Sequence, residues 1–130
     1  MIPQLTGIDH VHVYVDNWEE AEQWYGRVLG FKRMEKLMVW AVEGGPLTLE
    51  NAQGNVHLAL FESEPRSSST IAFGASGEEF LAWKMHLESE SLALRLADHQ
   101  LSWSLYFCDP YGNSHEITTY DYPLVADQLG

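Results

Sequence analysis

The fold is decided by the stretch Ile8-Asp9-His10-Val11-His12-Val13-Tyr14-Val15, along which apolar and polar side chains alternate with a period of two. Such alternation is typical of a half-buried β-strand, because successive side chains of a strand point to opposite faces of the sheet. The valines predict the face that packs on a core. The opposite face is predicted to carry His10, His12 and Tyr14.

An amphipathic helix is predicted directly after this strand. Asn17 can cap its first turn, and Glu20 stands where the partner of a capping box belongs. Apolar residues then recur three or four positions apart, and Gly30 is suited to the end of the helix. This apolar stripe consists of Ala21, Trp24, Tyr25, Val28 and Leu29. Three further strands are predicted at residues 31–43, 47–50 and 56–62.

The same order of elements begins again after a polar segment at residues 63–69, which we interpret as a linker. Thr70 stands 60 residues after His10, and a strand is predicted to start there. Ser76 and Glu79 form a second capping box, followed by a helix to about Leu87. Strands at residues 91–96, 101–107 and 114–120 complete the second set.

This repetition predicts one α+β domain, residues 1–130, built from two βαβββ modules. Module one covers about residues 5–62 and module two about residues 70–122. Eight strands and two main helices are expected, with the mixed sheets forming a concave cup whose outer faces the helices cover.

Composition excludes several classes of function. The chain has 130 residues, and its net charge of −12 argues against nucleic-acid binding, which depends on Lys and Arg. No apolar run has membrane length, and the N-terminus has no signal-peptide pattern. Cys108 is the single cysteine and cannot form an internal disulfide, so we expect a cytoplasmic protein.

The alternation of each strand predicts which side chains line the cup. The set is rich in imidazole and carboxylate groups, which are the usual ligands of Zn, Fe, Mn and Ni. It consists of His10, His12, Tyr14, His57, Thr70, Tyr106 and Glu116. His10 and Glu116 fall at equivalent ends of paired strands, so we predict that they bind a divalent metal.

The other members of this lining have a simpler explanation. A single inward histidine is more often a hydrogen-bonded pocket residue than a ligand. We therefore assign a group of four residues to substrate binding, namely His12, Tyr14, His57 and Thr70. His86 and His115 are predicted on a helix and on the core side of a strand, in structural or surface roles.

Two motifs resemble the glyoxalase/bleomycin-resistance/extradiol-dioxygenase superfamily, also called vicinal oxygen chelate proteins. Residues 10–16 (HVHVYVD) followed by residues 24–31 (WYGRVLGF) resemble its opening, a ligand His on strand one and a helix ending in FYxxxLGF. Residues 106–116 (YFCDPYGNSHE) resemble its closing YxxDPxGxxxE motif, in which the Glu binds metal. The resemblance implies the cup-shaped fold of this superfamily.

The C-terminal part is also similar to the signature of extradiol ring-cleavage dioxygenases. His99, Tyr106, Asp109-Pro110, Gly112 and Glu116 match it, whereas Ala97 departs from it. The resemblance implies that His99 is an acid/base group, that Tyr106 orients the substrate and that Glu116 binds iron. It also implies a homodimer, because relatives often pair their modules between chains.

Two positions depart from the superfamily pattern. Thr70 stands where the second module usually begins with a ligand His, and a carboxylate ligand used by glyoxalases falls near Ala59. His57 or His12 could replace a missing ligand. Three functions therefore remain open. They are an extradiol-type metalloenzyme, a glyoxalase- or isomerase-like metalloenzyme whose metal stabilises an enediolate, and a metal-free protein that sequesters an aromatic or cationic ligand.

Overall fold

The structure is a computed structural model that describes residues 2–4, 6–62 and 70–129. The chain divides into two compact units, Met1–Arg66 and Ser67–Gly130, which we call module one and module two. The predicted linker at residues 63–69 lies outside the described residues. Across the described ranges, no helix is long and apolar enough to cross a membrane.

Module one contains a four-stranded mixed sheet with the strand order β1-β4-β3-β2. β1 and β4 are parallel, and the other neighbours are antiparallel. Its elements are β1 (Val11–Val15), α1 (Trp18–Leu29), β2 (Lys32–Arg33), a 3-10 helix (Glu35–Trp40), β3 (Leu47–Glu50) and β4 (His57–Glu62).

Helix α1 has the ends and the buried stripe that the sequence predicts. The Asn17 side chain accepts a hydrogen bond from the backbone N–H of Glu20 at 2.8 Å. Gly30 ends the helix with a φ of 76°, a left-handed conformation in which glycine has no steric penalty. All five residues of the predicted apolar stripe are buried. Trp18 joins the helix to β4, because its indole N–H donates to the carbonyl of Leu60 at 2.8 Å.

Module two repeats this arrangement, with the strand order β5-β8-β7-β6. β5 and β8 are parallel, and the remaining neighbours are antiparallel. Its elements are β5 (Thr70–Gly74), α2 (Gly77–Ser89), β6 (Arg95–Asp98), β7 (Trp103–Cys108), β8 (Ser114–Thr119) and α3 (Tyr122–Leu129). Ser76 caps α2 through the backbone N–H of Glu79.

Strand register confirms the internal repeat. In module one His12 pairs with Ala59, and in module two Ala72 pairs with Glu116. Ala59 therefore occupies the position in β4 that Glu116 occupies in β8. The two βαβββ modules and the glyoxalase-like α+β fold are as predicted.

Several predicted boundaries were wrong. Residues 31–43 contain the two-residue strand β2 and a 3-10 helix instead of one long strand. Met34, Leu37 and Met38 are half-buried, which is the spacing of a helical turn and not of a strand. The strand predicted at residues 8–15 begins only at Val11, and that predicted at 91–96 lies at Arg95–Asp98.

Helix α3 (Tyr122–Leu129) is a third main helix that we did not predict, and it lies almost entirely beyond residue 122, where the predicted second module ended. Pro123 stands in its first turn, where a missing N–H costs no hydrogen bond. Val125 is fully buried and anchors the helix, which packs against α2.

Replacing Asn17 with Ala should lower the free energy of unfolding by about 1 kcal/mol, because the first turn of α1 loses its side-chain cap. Urea unfolding monitored by circular dichroism measures this change. Asn17→Asp, which keeps an accepting oxygen, is the control and should lose much less. Equal losses in both variants would contradict a capping role.

Candidate functional site

Each sheet has one buried face and one more open face, and the open faces carry the predicted site residues. In β4, Leu58 and Leu60 are fully buried, whereas His57 and Phe61 are half-buried. In β8, His115 and Ile117 are buried, whereas Glu116 is half-buried. We call the less buried face of each sheet the open face.

The open face of module one brings two imidazoles together. Nε2 of His10 lies 3.1 Å from Nε2 of His12, and the two rings are within 22° of parallel. His10 lies just before β1, and its side chain is 41% exposed. Its Nδ1 lies 2.9 Å from a carboxylate oxygen of Asp9. That contact favours the proton on Nδ1, which leaves the lone pair of Nε2 available.

His57 lies on the same open face but is held by other groups. Its Nδ1 lies 3.2 Å from the carbonyl oxygen of Asp9, and its Nε2 lies 3.2 Å from Oε2 of Glu50. Glu50 and His57 are opposite each other on β3 and β4. Both ring nitrogens of His57 therefore have protein partners, which makes His12 the better candidate to act with His10.

Aromatic rings continue this open face along β1 and β4. The ring of Phe61 lies 4.7 Å from that of His12 and 5.9 Å from that of Tyr14, measured between centroids. Such a surface suits the face of an aromatic ligand.

The open face of module two centres on Glu116. Three residues lie in one row across the strands, because Tyr106 pairs with Glu116 on β8 and with Arg95 on β6. Ala72 stands on the other side of Glu116 and leaves the carboxylate room. Oε2 of Glu116 accepts a hydrogen bond of 2.7 Å from Ser104 Oγ, which orients the carboxylate.

The flanks of this row are also polar. His99 Nε2 and the Tyr106 hydroxyl are hydrogen-bonded at 3.0 Å, so the two residues assigned to catalysis are in contact. The guanidinium carbon of Arg95 lies 4.2 Å from the centre of the Tyr106 ring, a cation–π contact. Thr70 donates a hydrogen bond of 3.2 Å to Ser114 Oγ.

His115 takes no part in the open face. It is fully buried and contacts the rings of Phe73 and Phe107, at centroid distances of 5.9 Å and 5.6 Å. Burial lowers the pKa of His115 to about 4, and the charge of the Asp109 carboxylate only partly opposes this effect. The imidazole is therefore neutral at pH 7, in the structural role that the sequence predicts.

The donors fit a metal site only in part. Within the described residues of either module, no group of three His, Cys, Asp or Glu side chains is placed to hold a metal ion. Module one offers the His10–His12 pair, and module two offers Glu116. Asp9, Ser104 and Arg95 also make polar contacts on the open faces, although they are not among the predicted site residues. For Arg95 a sequence signal existed, because the alternation of Leu92, Leu94 and Leu96 predicts that Arg95 lies on the opposite, polar face of its strand.

Comparison with known proteins identifies the family. The sequence profile of the Glyoxalase/Bleomycin resistance protein/Dioxygenase superfamily matches residues 7–117, so the chain belongs to this superfamily. Its members bind small molecules. Among curated protein sequences, none matches the chain.

Solved structures show the same fold. An integron cassette protein from the mobile metagenome of the Halifax Harbour sewage outfall has 25% identity and a TM-score of 0.76, covering 88% of this chain and 99% of its own. Lactoylglutathione lyase from Agrobacterium tumefaciens has 24% identity and a TM-score of 0.72, covering 92% and 97%. The fosfomycin resistance protein FosX from Listeria monocytogenes, complexed with Mn(II), has 13% identity and a TM-score of 0.67, covering 98% and 100%.

Proposed function

We propose that this protein is a metal-dependent enzyme that acts on a small oxygen-bearing molecule, with His10 and Glu116 as metal ligands. The observation that carries this proposal is the distance of 3.1 Å between Nε2 of His10 and Nε2 of His12. Metal–imidazole bonds are about 2.0–2.1 Å long, so two nitrogens at adjacent positions of one ion lie roughly 3 Å apart. Without metal, the same distance allows an N–H···N hydrogen bond between the two imidazoles. A bound ion would displace the proton that they share.

Two contacts support these ligand assignments. The carboxylate of Asp9 holds the outer nitrogen of His10, and the hydroxyl of Ser104 holds Glu116. Hydrogen bonds of this kind orient metal ligands in proteins. FosX, which has the same fold, was solved with Mn(II). When bound, a divalent ion would act as a Lewis acid on an oxygen atom of the substrate.

The protein groups beside Glu116 suit proton transfer. His99 shares a hydrogen bond with the Tyr106 hydroxyl, so the imidazole is placed to exchange a proton with a bound substrate while Tyr106 orients that substrate. This pair favours the extradiol-type reaction over the glyoxalase-type reaction. Oxygen uptake with a panel of catechols tests the choice, and turnover of an α-hydroxycarbonyl substrate without oxygen would support the second reaction instead.

Replacing Glu116 with Gln should weaken binding of Fe(II) or Mn(II) at least about tenfold, because a neutral amide is a poorer ligand than a carboxylate. Anaerobic calorimetric titration of chelator-treated protein measures the affinity. His12→Gln should weaken binding to a similar extent if His12 acts with His10. His86→Gln is the matched control, because it removes an imidazole from α2 and should leave the affinity unchanged. Equal affinity in wild type and Glu116→Gln would refute the assignment.

A metal-free binding protein is the second candidate. Thr70 and Ala59 occupy two positions where relatives carry ligands, and the rings of Tyr14, Phe61 and His12 form an aromatic surface. On this account the open face of module one sequesters an aromatic or cationic molecule. Binding of benzyltrimethylammonium by chelator-treated protein, lost in Phe61→Ala, would favour it. The homodimer predicted from the resemblance stays a prediction, which light scattering tests.

A further inference from the structure

Module two carries a positively charged side chain, Arg95, that has no role in the proposed metal site. Residues 70–130 contain nine Asp and Glu side chains but only two Lys or Arg side chains, Lys84 and Arg95. Lys84 forms an ion pair with Glu88 at 2.9 Å on α2. Arg95 forms no ion pair with any residue that the structure describes. The Arg95 guanidinium is therefore not neutralised by a described carboxylate, although module two has far more acidic than basic side chains.

Its position is fixed by the sheet. Arg95 is opposite Tyr106 on the edge strand β6, and its guanidinium lies over the Tyr106 ring at 4.2 Å. Stacking holds the plane of a guanidinium by its face and leaves the N–H donors at its edge for another partner. Arg95 is exposed, so a ligand can reach these donors.

Arg95 also lines a hollow of about 460 Å³ that is open to solvent. The other lining residues are Ala93, Leu94, Tyr106, Phe107, Cys108 and Ser114. The lining therefore combines apolar surface, the Ser114 hydroxyl and one cation. The Tyr106 hydroxyl connects this hollow to His99, and Tyr106 is opposite Glu116 on the neighbouring strand.

The geometry points to Arg95 as the residue that binds an oxyanion group, a carboxylate or a phosphonate, of a small organic ligand seated in this hollow. The planar fork of arginine matches both groups with two parallel hydrogen bonds. In a chain of net charge −12, the exposed guanidinium of Arg95 selects the anionic end of a ligand in this hollow and fixes its orientation against Tyr106. This inference deepens the proposed function by naming the class of substrate, but the anion contact itself needs no metal.

Cys108 provides the test, because it is the only cysteine, is exposed and lines the same hollow. The measurement is the alkylation rate of Cys108 by anionic iodoacetate relative to neutral iodoacetamide, in metal-free protein. Arg95→Gln should lower this ratio about threefold to tenfold, since one nearby positive charge no longer attracts the anion. Lys84→Gln, which changes the net charge equally on α2, should leave the ratio unchanged. Equal ratios in wild type and Arg95→Gln would overturn the inference.

A second measurement identifies the anion. Benzoate or phenylphosphonate should protect Cys108 from iodoacetamide in wild type but not in Arg95→Gln, and neutral benzamide should not protect. The stronger protector of the two shows whether a carboxylate or a phosphonate fits. Arg95→Lys should keep most of the wild-type ratio of iodoacetate to iodoacetamide rates, because it keeps the positive charge. It should lose the protection of Cys108 by benzoate or phenylphosphonate, because lysine lacks the planar guanidinium that forms two parallel hydrogen bonds. Equal protection by benzamide would contradict anion recognition. Because chelator is present throughout, failure here leaves the metal assignment standing, and failure of the metal titration leaves this result standing.

Discussion

Replacing Thr70 with His should tighten Fe(II) binding by roughly a hundredfold or more. Loss of a hydrogen-bonding partner of a ligand already changes metal affinity by about ten- to a hundredfold, and a new ligand should have a larger effect. Thr70 lies on β5 two positions before Ala72, the residue opposite Glu116. An imidazole at this place would share the open face of module two with the carboxylate. Its position in β5 corresponds to that of His10 ahead of β1.

The measurement is anaerobic Fe(II) titration of wild type and Thr70→His, followed by oxygen uptake with catechols. Thr70→Gln is the matched control, because it adds bulk at the same position without a strong ligand. If the pocket is a ligand trap, the imidazole should crowd it, lower affinity for an aromatic ligand and give no turnover. Unchanged iron affinity in Thr70→His would contradict the placement of Glu116 in the metal site.

The free energy of unfolding should fall by roughly 3 kcal/mol between pH 7 and pH 4 through His115 alone. Its pKa is about 4 in the folded protein, against an ordinary value of 6.5 for histidine. The unfolded chain therefore binds the proton first as the pH falls, and folding loses stability between these two values. The difference of about 2.5 pH units corresponds to roughly 3 kcal/mol, at 1.36 kcal/mol per unit.

His115→Leu should remove most of this pH dependence. Leucine fits the position, because Leu58 occupies the equivalent place in module one. Urea unfolding at pH 7, 5.5 and 4 measures the effect as the difference between variant and wild type, so that carboxylate titration cancels. His86→Leu on α2 is the control and should keep the wild-type pH dependence. The same pH dependence in His115→Leu and wild type would show that folding does not lower the pKa of His115.

The parts of the fold that local patterns determine were predictable from the sequence. The alternation of polar and apolar residues predicted which side chains of β4 and β8 are buried. The cap residues Asn17 and Ser76 predicted where α1 and α2 begin. The 3-10 helix was missed because the apolar residues of 31–43 fit a short helical turn as well as a strand. Helix α3 was missed because the short apolar run at residues 124–126 has no helical periodicity, and the helix depends on burial of Val125 by tertiary packing.

The candidate site was predictable in its residue types but not in its contacts. Alternation places His10 and His12 on one face, yet it cannot show that their Nε2 atoms are adjacent. The orientation of Glu116 by Ser104, and of Arg95 over Tyr106, depends on the register between strands distant in sequence. Register follows from the packing of the whole sheet, so these partners became visible only in the structure.

Metal analysis of protein purified without chelator tests the central claim most directly. Wild type and Glu116→Gln are expressed in the same medium containing iron, manganese and zinc, and their metal content is measured by mass spectrometry. The metal-dependent account predicts roughly one first-row divalent ion per chain in wild type and a clear loss in Glu116→Gln. Wild-type protein without metal, or equal metal content in both proteins, would contradict it.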